Sequence, residues 1–335
     1  MEPFESRPTP AVDREAPLAR GHWCWPALLP ALALALDAAW PLPAPRPGLG
    51  VTWLDVAAFL CLAWAALPRG RARRDEWSTP VDGRVLAGLL LAVLHIVRTQ
   101  GALEPIQWLR QITASGLCFY ALSARLRRDP RAPDAVWPAF AFVVLALSAY
   151  VLAFATQGVA ALGAATSAVD ERWASHFGLT KALLIGTVLC TGRASESGAS
   201  ALWRVTALVG AVACAVCAFA GGAGLGTGSL QSLDEPFYFA TTIVTFTFLA
   251  GLTRMAWALA RDRATEAGRW RAAALAFPSI AALLVFGGTT GGEGLRVLAA
   301  LAGAAVVATR AAPSLAAAAA PSRAATAEPE SRRAA

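Results

Sequence analysis

Lysine is all but missing from this chain, and most other charge is missing with it. Of 335 residues one is lysine and three are histidine, and charged side chains make up only 15%. A soluble globule covers its surface with charge, so composition excludes that class: 56% of the residues are hydrophobic and mean hydropathy is +0.51. No short basic start of the kind that opens a secretory signal is present. Residues 1–22 carry four acids instead, so the apolar run that follows is expected to be retained. The six cysteines, at 24, 61, 118, 190, 214 and 217, all lie in apolar runs and imply no disulfide framework. Cys214 and Cys217 form a C-x-x-C, but inside a uniformly apolar helix, where packing is the expected role. Metal ligation is not expected, because no acid or histidine pair stands at H-x-x-x-H or comparable spacing. The glycine-rich stretches Gly221 to Gly228 and Gly287 to Gly294 neither follow a strand nor end in Gly-Lys-Ser/Thr. They read as turns or helix ends, and no cofactor is expected.

What is present is a series of apolar runs of membrane-spanning length. They fall at about 23–42, 51–67, 84–99, 105–124, 135–156, 174–191, 203–220, 236–259, 271–287 and 295–310. The expected fold is all-α, a polytopic transmembrane helix bundle of ten spans, with the last two short and rich in alanine. The formal charge of +7 is almost wholly arginine, which in such a chain is a topology signal and not a sign of nucleic acid. Arginines crowd alternate loops: Arg69, Arg71, Arg73, Arg74 and Arg84, then Arg125, Arg127, Arg128 and Arg131, then Arg261, Arg263, Arg269 and Arg271. Arg193 and Arg204 follow the same alternation more weakly. These loops are expected in the cytoplasm, with both termini on that side. Three segments follow: a cytoplasmic N-terminal tail at 1–22, a transmembrane domain at 23–310 and a disordered cytoplasmic tail at 311–335.

A charge inside hydrocarbon costs several kcal/mol unless it faces protein or water, so polar residues within the spans are the informative ones. On this topology they gather near the outer ends. Asp37, Asp55, His95, Arg98 and Arg110 lie at that level, as do His176 and Lys181. The segment Arg172 to Lys181, read as a helix with Asp170 as N-cap, sets Arg172, His176 and Thr180 on one face. Gln107, Arg110, Gln111 and Ser115 form another stripe. Each has a plainer role available: Asp37 pairing with Arg98 or Arg110 to hold helices together, His95 as a packing residue, His176 at headgroup level, Lys181 and Arg98 snorkelling to headgroups. The clustering favours a site. Arg98, Arg110, Arg172, Lys181 and His95 suit an anionic lipid head, because guanidinium forks bind phosphate oxygens bidentately, and His176 titrates in the range of a general base.

The order of features resembles the O-antigen ligase and polymerase superfamily of bacterial inner-membrane glycan-assembly proteins. The resemblance runs from Val51-Thr-Trp-Leu-Asp55, through Trp108-Leu-Arg-Gln-Ile112 to Tyr120 and a basic loop, to Arg172 through Phe177-Gly178. It implies metal-independent transfer of a glycan from undecaprenyl diphosphate on the periplasmic side, with Arg110 and Arg172 on the diphosphate and a histidine as base. The chain departs from that pattern where the family carries a long periplasmic loop with its histidine; here Gly221 to Pro236 holds no His, Arg or Lys, and no histidine follows residue 176. Either His176 substitutes, or lipid-linked glycan is bound without transfer. Two other classes stay open: a non-catalytic subunit that exposes small-residue faces to membrane-protein partners, and a transporter or flippase, which needs a matching polar cavity on the inner side.

Overall fold

The computed structural model describes residues 25–39, 51–66, 77–98, 103–127, 134, 136–161, 167–220, 236–286 and 292–324. Ten α-helices and no strand occur among them. They are α1 (Trp25–Ala39), α2 (Trp53–Ala66), α3 (Asp82–Arg98), α4 (Leu103–Leu126), α5 (Trp137–Ala161), α6 (Ser167–Ala194), α7 (Ala201–Ala220), α8 (Pro236–Asp262), α9 (Ala267–Phe286) and α10 (Gly292–Ala324). Each expected span coincides with one helix. Among the described residues, two stretches are long and apolar enough to cross a membrane, Ile243–Asp262 and Gly294–Ala311. Shorter apolar stretches lie at Pro26–Leu36, Trp53–Ala66, Trp137–Ala153 and Ala201–Cys217.

Two boundaries differ from the sequence reading. Helix α6 begins at Ser167, so Asp170 is its fourth residue and not the cap. Helix α10 does not stop at 310 but runs on to Ala324. The run Ala316 to Ala320 has no amphipathic face, yet alanine is the strongest helix former and needs none to continue a helix already nucleated. The expected tail at 1–22, and residues 325–335 of the tail expected at 311–335, lie outside the described residues.

Helix starts are set by short polar devices. Ahead of α2 the Thr52 amide donates to Asp55 Oδ2 at 2.8 Å, and the Asp55 amide donates to Thr52 Oγ1 at 3.3 Å, a reciprocal cap that satisfies two orphan amides. Thr79 and Asp82 form one half of such a cap ahead of α3, the Thr79 amide donating to Asp82 Oδ2 at 2.9 Å. Between α6 and α7 the chain reverses through Gly198, whose φ of +91° an L side chain rarely adopts.

The core is built round α10. From Gly294 to Thr309 every residue except Arg296 is buried. Helices α1, α4, α6, α8 and α9 all pack on it. Its alanines and glycines let those backbones come close. At Gly303 a side chain would press on Leu252 of α8 and Phe119 of α4, and at Gly294 on Ala182 of α6 and Leu34 of α1. Outside this centre, α8 lies against α9 and α3, and α5 and α7 flank α6.

The closest helix contact joins α6 to α9. A methyl group on Gly192 would overlap Ala272 and come within 2.7 Å of the Gly268 carbonyl, so the two backbones meet almost directly. Gly192→Ala should therefore lower stability by about 1–3 kcal/mol, because backbone has to move. Gly116 on α4 has open space where its Cβ would stand, and Gly116→Ala should be neutral or raise stability by about 0.5–1 kcal/mol. Thermal unfolding of the two variants in detergent checks the contrast; equal melting temperatures would refute the close crossing.

Candidate functional site

The described residues singled out from sequence lie toward the end of the bundle where α2, α4, α6 and α10 begin. Among them is Arg110 on α4. Its Nε lies 3.6 Å from Asp55 Oδ2, an ion pair between side chains that remain 30% and 23% exposed. Asp55 thus does two jobs: it caps α2 and faces Arg110. Asp55 is a partner that the sequence reading did not name; the alternative weighed there, Asp37 pairing with Arg98 or Arg110, falls on a side chain outside the described residues. Beside Arg110, Gln111 Oε1 accepts a hydrogen bond from Arg296 of α10. Arg296 was not among the residues picked from sequence. It is the one non-buried position in the innermost stretch of α10, and its signal was a lone arginine at the start of an otherwise apolar run.

Lys181 is half-buried on α6, next to Ala182, which touches Gly294 of α10. Two residues separate Gly294 from Arg296. His176 and Arg172 stand nearer the start of α6, four residues apart and so on one face of the helix, and their side chains lie outside the described residues. On α3, His95 is buried at 4% exposure and Arg98, the last residue of the helix, is exposed. α3 packs on α4 and α8, whereas α6 packs on α5, α7, α9 and α10. The structure pairs Asp55 with Arg110, and Arg296 with Gln111, the next residue along α4, while Lys181 stands on α6, which packs on α10, and His95 and Arg98 on α3, which packs on α4. Among the described residues, no group of three or more His, Cys, Asp or Glu side chains is placed to hold a metal ion.

A second polar network, unforeseen from sequence, occupies the opposite end. Arg269 is 4% exposed, and its Nε and Nη2 donate to the two carboxylate oxygens of Glu196 at 2.8 and 3.0 Å. The Arg269 amide donates to the same carboxylate at 3.1 Å. Asp134 accepts from Arg269 Nη1, and Arg193 donates to Glu196. Trp137 lies under the guanidinium with its ring centroid 5.8 Å away, and Trp270 packs edge-on against Trp137. Burial, then the neighbouring Arg269 charge, holds the Arg193 guanidinium below its ordinary value. Sequence counts Arg193 and Arg269 only as loop charges; that one of them is buried depends on the close α6 to α9 crossing, which no linear pattern displays. Nearby, Thr79 and the Tyr120 hydroxyl donate to Asp82. Burial pushes the Asp82 carboxyl up, but hydrogen bonds from Thr79, Tyr120 and Ser78 outweigh it and hold the carboxyl below the ordinary aspartate value.

The two ends should respond differently to substitution. Glu196→Ala strands a buried guanidinium and should cost about 3–5 kcal/mol, whereas Arg110→Ala breaks a partly exposed pair and should cost about 1 kcal/mol or less. Thermal melting of both variants tests this, and a collapse of Arg110→Ala would make its pair with Asp55 structural. For Asp82, a value lowered by folding stabilises the protein above the unfolded value and loses that contribution as pH falls through the folded one. Wild-type stability should therefore drop more steeply than that of Asp82→Asn on acidification below 3.8, followed by melting temperature against pH. Compared with known proteins, the chain matches no protein-family model, no curated sequence and no solved structure.

Proposed function

We propose that this chain is a ten-span protein of a bacterial inner membrane, with both termini in the cytoplasm, that binds the diphosphate head of a lipid-linked glycan at its periplasmic end. The membrane setting is supported by apolar residues turned outward along the helices, among them Leu86 at 69%, Val97 at 71% and Leu208 at 65% exposure. A soluble protein rarely presents such faces. Helices α4, α5, α6 and α8, at 24 to 28 residues, exceed the roughly 20 needed to cross the hydrocarbon core.

One observation carries the ligand reading: Arg110, paired with Asp55, and Arg296, bonded to the neighbouring Gln111, lie toward the same end of the bundle, with Lys181 on α6. Guanidinium forks on adjacent helices match the oxygens of a diphosphate, and the apolar surround strengthens the attraction. Arg98 and Arg172, at neighbouring helix ends, would extend the same cationic rim, with His95 beside it. If transfer follows, an acceptor hydroxyl attacks the anomeric carbon as the bond from that carbon to the diphosphate oxygen breaks. The proton passes to His176, and the arginines hold the charge of the departing diphosphate. No metal or cofactor enters this scheme.

A non-catalytic membrane subunit is the second reading, and the Arg110 to Asp55 pair favours it, since a cluster of that kind also serves as glue between α2 and α4. Binding of undecaprenyl diphosphate to the purified full-length protein separates the two. On the ligand reading, Arg110→Ala and Arg296→Gln each weaken binding about tenfold, Arg110→Lys also fails as a binder, and folding is retained. His176→Ala should keep the lipid and lose transfer. Unaltered lipid affinity in Arg110→Ala and Arg296→Gln would leave the subunit reading standing alone.

A further inference from the structure

We propose a second anion site at the opposite end of the bundle, a cleft that takes a phosphate group between the start of α3, the end of α4, the last turns of α8 and the middle of α10. Its volume is about 440 Å3. Arg127, Arg310, Ser78 and Thr79 supply its polar lining, and Met255 and Val307 the apolar part. The cleft is separate from the cluster around Arg110, and its cytoplasmic placement rests on the membrane topology proposed above.

Three observations build the site. The first is that its donors are held in place before any ligand arrives. Arg127 Nη1 donates to the Ser78 carbonyl at 2.6 Å, and Thr79 is fixed by Asp82, which in turn accepts from the Tyr120 hydroxyl at 2.9 Å. A guanidinium already tied to the loop loses little freedom when an anion binds. The second is charge. Asp82 faces Arg127 and offsets it, so the remaining positive charge of the cleft is Arg310, which is exposed and makes no ion pair among the described residues. The third is mixed lining: two guanidinium groups offer donors to several oxygens of one tetrahedral group, while Met255 and Val307 accept apolar matter beside it.

The chemistry shared by every fitting ligand is a phosphate ester or free phosphate. Two sources present it at this end: the headgroup of an anionic phospholipid in the cytoplasmic leaflet, and a soluble phosphate. Basic clefts between helices at that face are suited to the first, and open access from water permits the second. Arginine that merely snorkels to headgroups makes a different prediction, since any exposed arginine would then do as well as Arg310.

The full-length protein is released from phosphatidylcholine discs doped with phosphatidylglycerol, and retained phosphatidylglycerol is counted by native mass spectrometry. Inorganic phosphate is titrated separately at constant ionic strength, with thermal shift as readout. Arg310→Gln should lower retention or affinity about fivefold, the effect of one arginine near an anionic surface, while Arg204→Gln, an exposed arginine of α7 outside the cleft, leaves it unchanged. Arg310→Lys keeps the charge without the fork, should fall between wild type and Arg310→Gln, and serves as the reading if the glutamine variant does not fold. Retention of phosphatidylglycerol alone assigns the cleft to lipid, a phosphate response alone assigns it to a soluble ester, and both together assign it to the shared phosphate chemistry. Binding of neither, or equal losses in Arg310→Gln and Arg204→Gln, overturns the site.

Discussion

Burial of α10 on all sides is the constraint to which the other helices conform. A helix whose whole circumference is apolar and small cannot sit at a boundary with polar groups, and it lets neighbours approach closely at Gly294 and Gly303. Five helices pack on it, and α4 and α6, the two that carry Arg110 and Lys181, are related through it. The distance between the candidate cations is therefore fixed by how tightly Ala182, Leu34 and Phe119 close on this one helix. A larger residue in that seam would move Arg110 and Lys181 apart without touching either.

The polar groups divide between the two ends, and the ends differ in kind. Around Glu196 the charges are buried, paired and hydrogen-bonded, and they fasten α6 to α9 where Gly192 and Gly268 let the backbones meet. Around Arg110 the charges are partly exposed and cations outnumber the facing acid. The first arrangement holds a fold, and the second leaves positive potential for something else to meet. Helices α4 and α10 reach both regions, with Arg110 and Arg296 at one end and Arg127 and Arg310 at the other. Phe119 and Leu252, closing on Gly303, fill the space between with apolar side chains.

Helix positions were legible because each rests on a local property: an apolar run long enough to stand out, bounded by proline, glycine or charge. The Asp55 and Arg110 level was legible for a similar reason, since a charge within an apolar run is conspicuous by itself. Which charges meet is a matter of packing. Asp37 and Asp55 stand at comparable depths in sequence, and only the α2 to α4 contact makes Asp55 the partner. Glu196 and Arg269 are separated by 73 residues, and neither lies in an apolar run that would flag it. The alanine-rich stretch after Gly294 reads as a weak span because small residues score low in hydropathy. The same smallness is what qualifies it for the centre.

The order in which the chain is made gives the position of α10 another meaning. Ribosomes deliver helices from the N-terminal end, so α1 to α9 exist before the helix that five of them are shaped to enclose. Until it arrives, Leu34, Phe119, Ala182 and Leu252 face a vacancy, and those nine helices can be no more than a loose corral. Compaction is thus deferred to the end of synthesis, and a chain broken off before Gly294 would offer the cell's proteases an unfilled bundle.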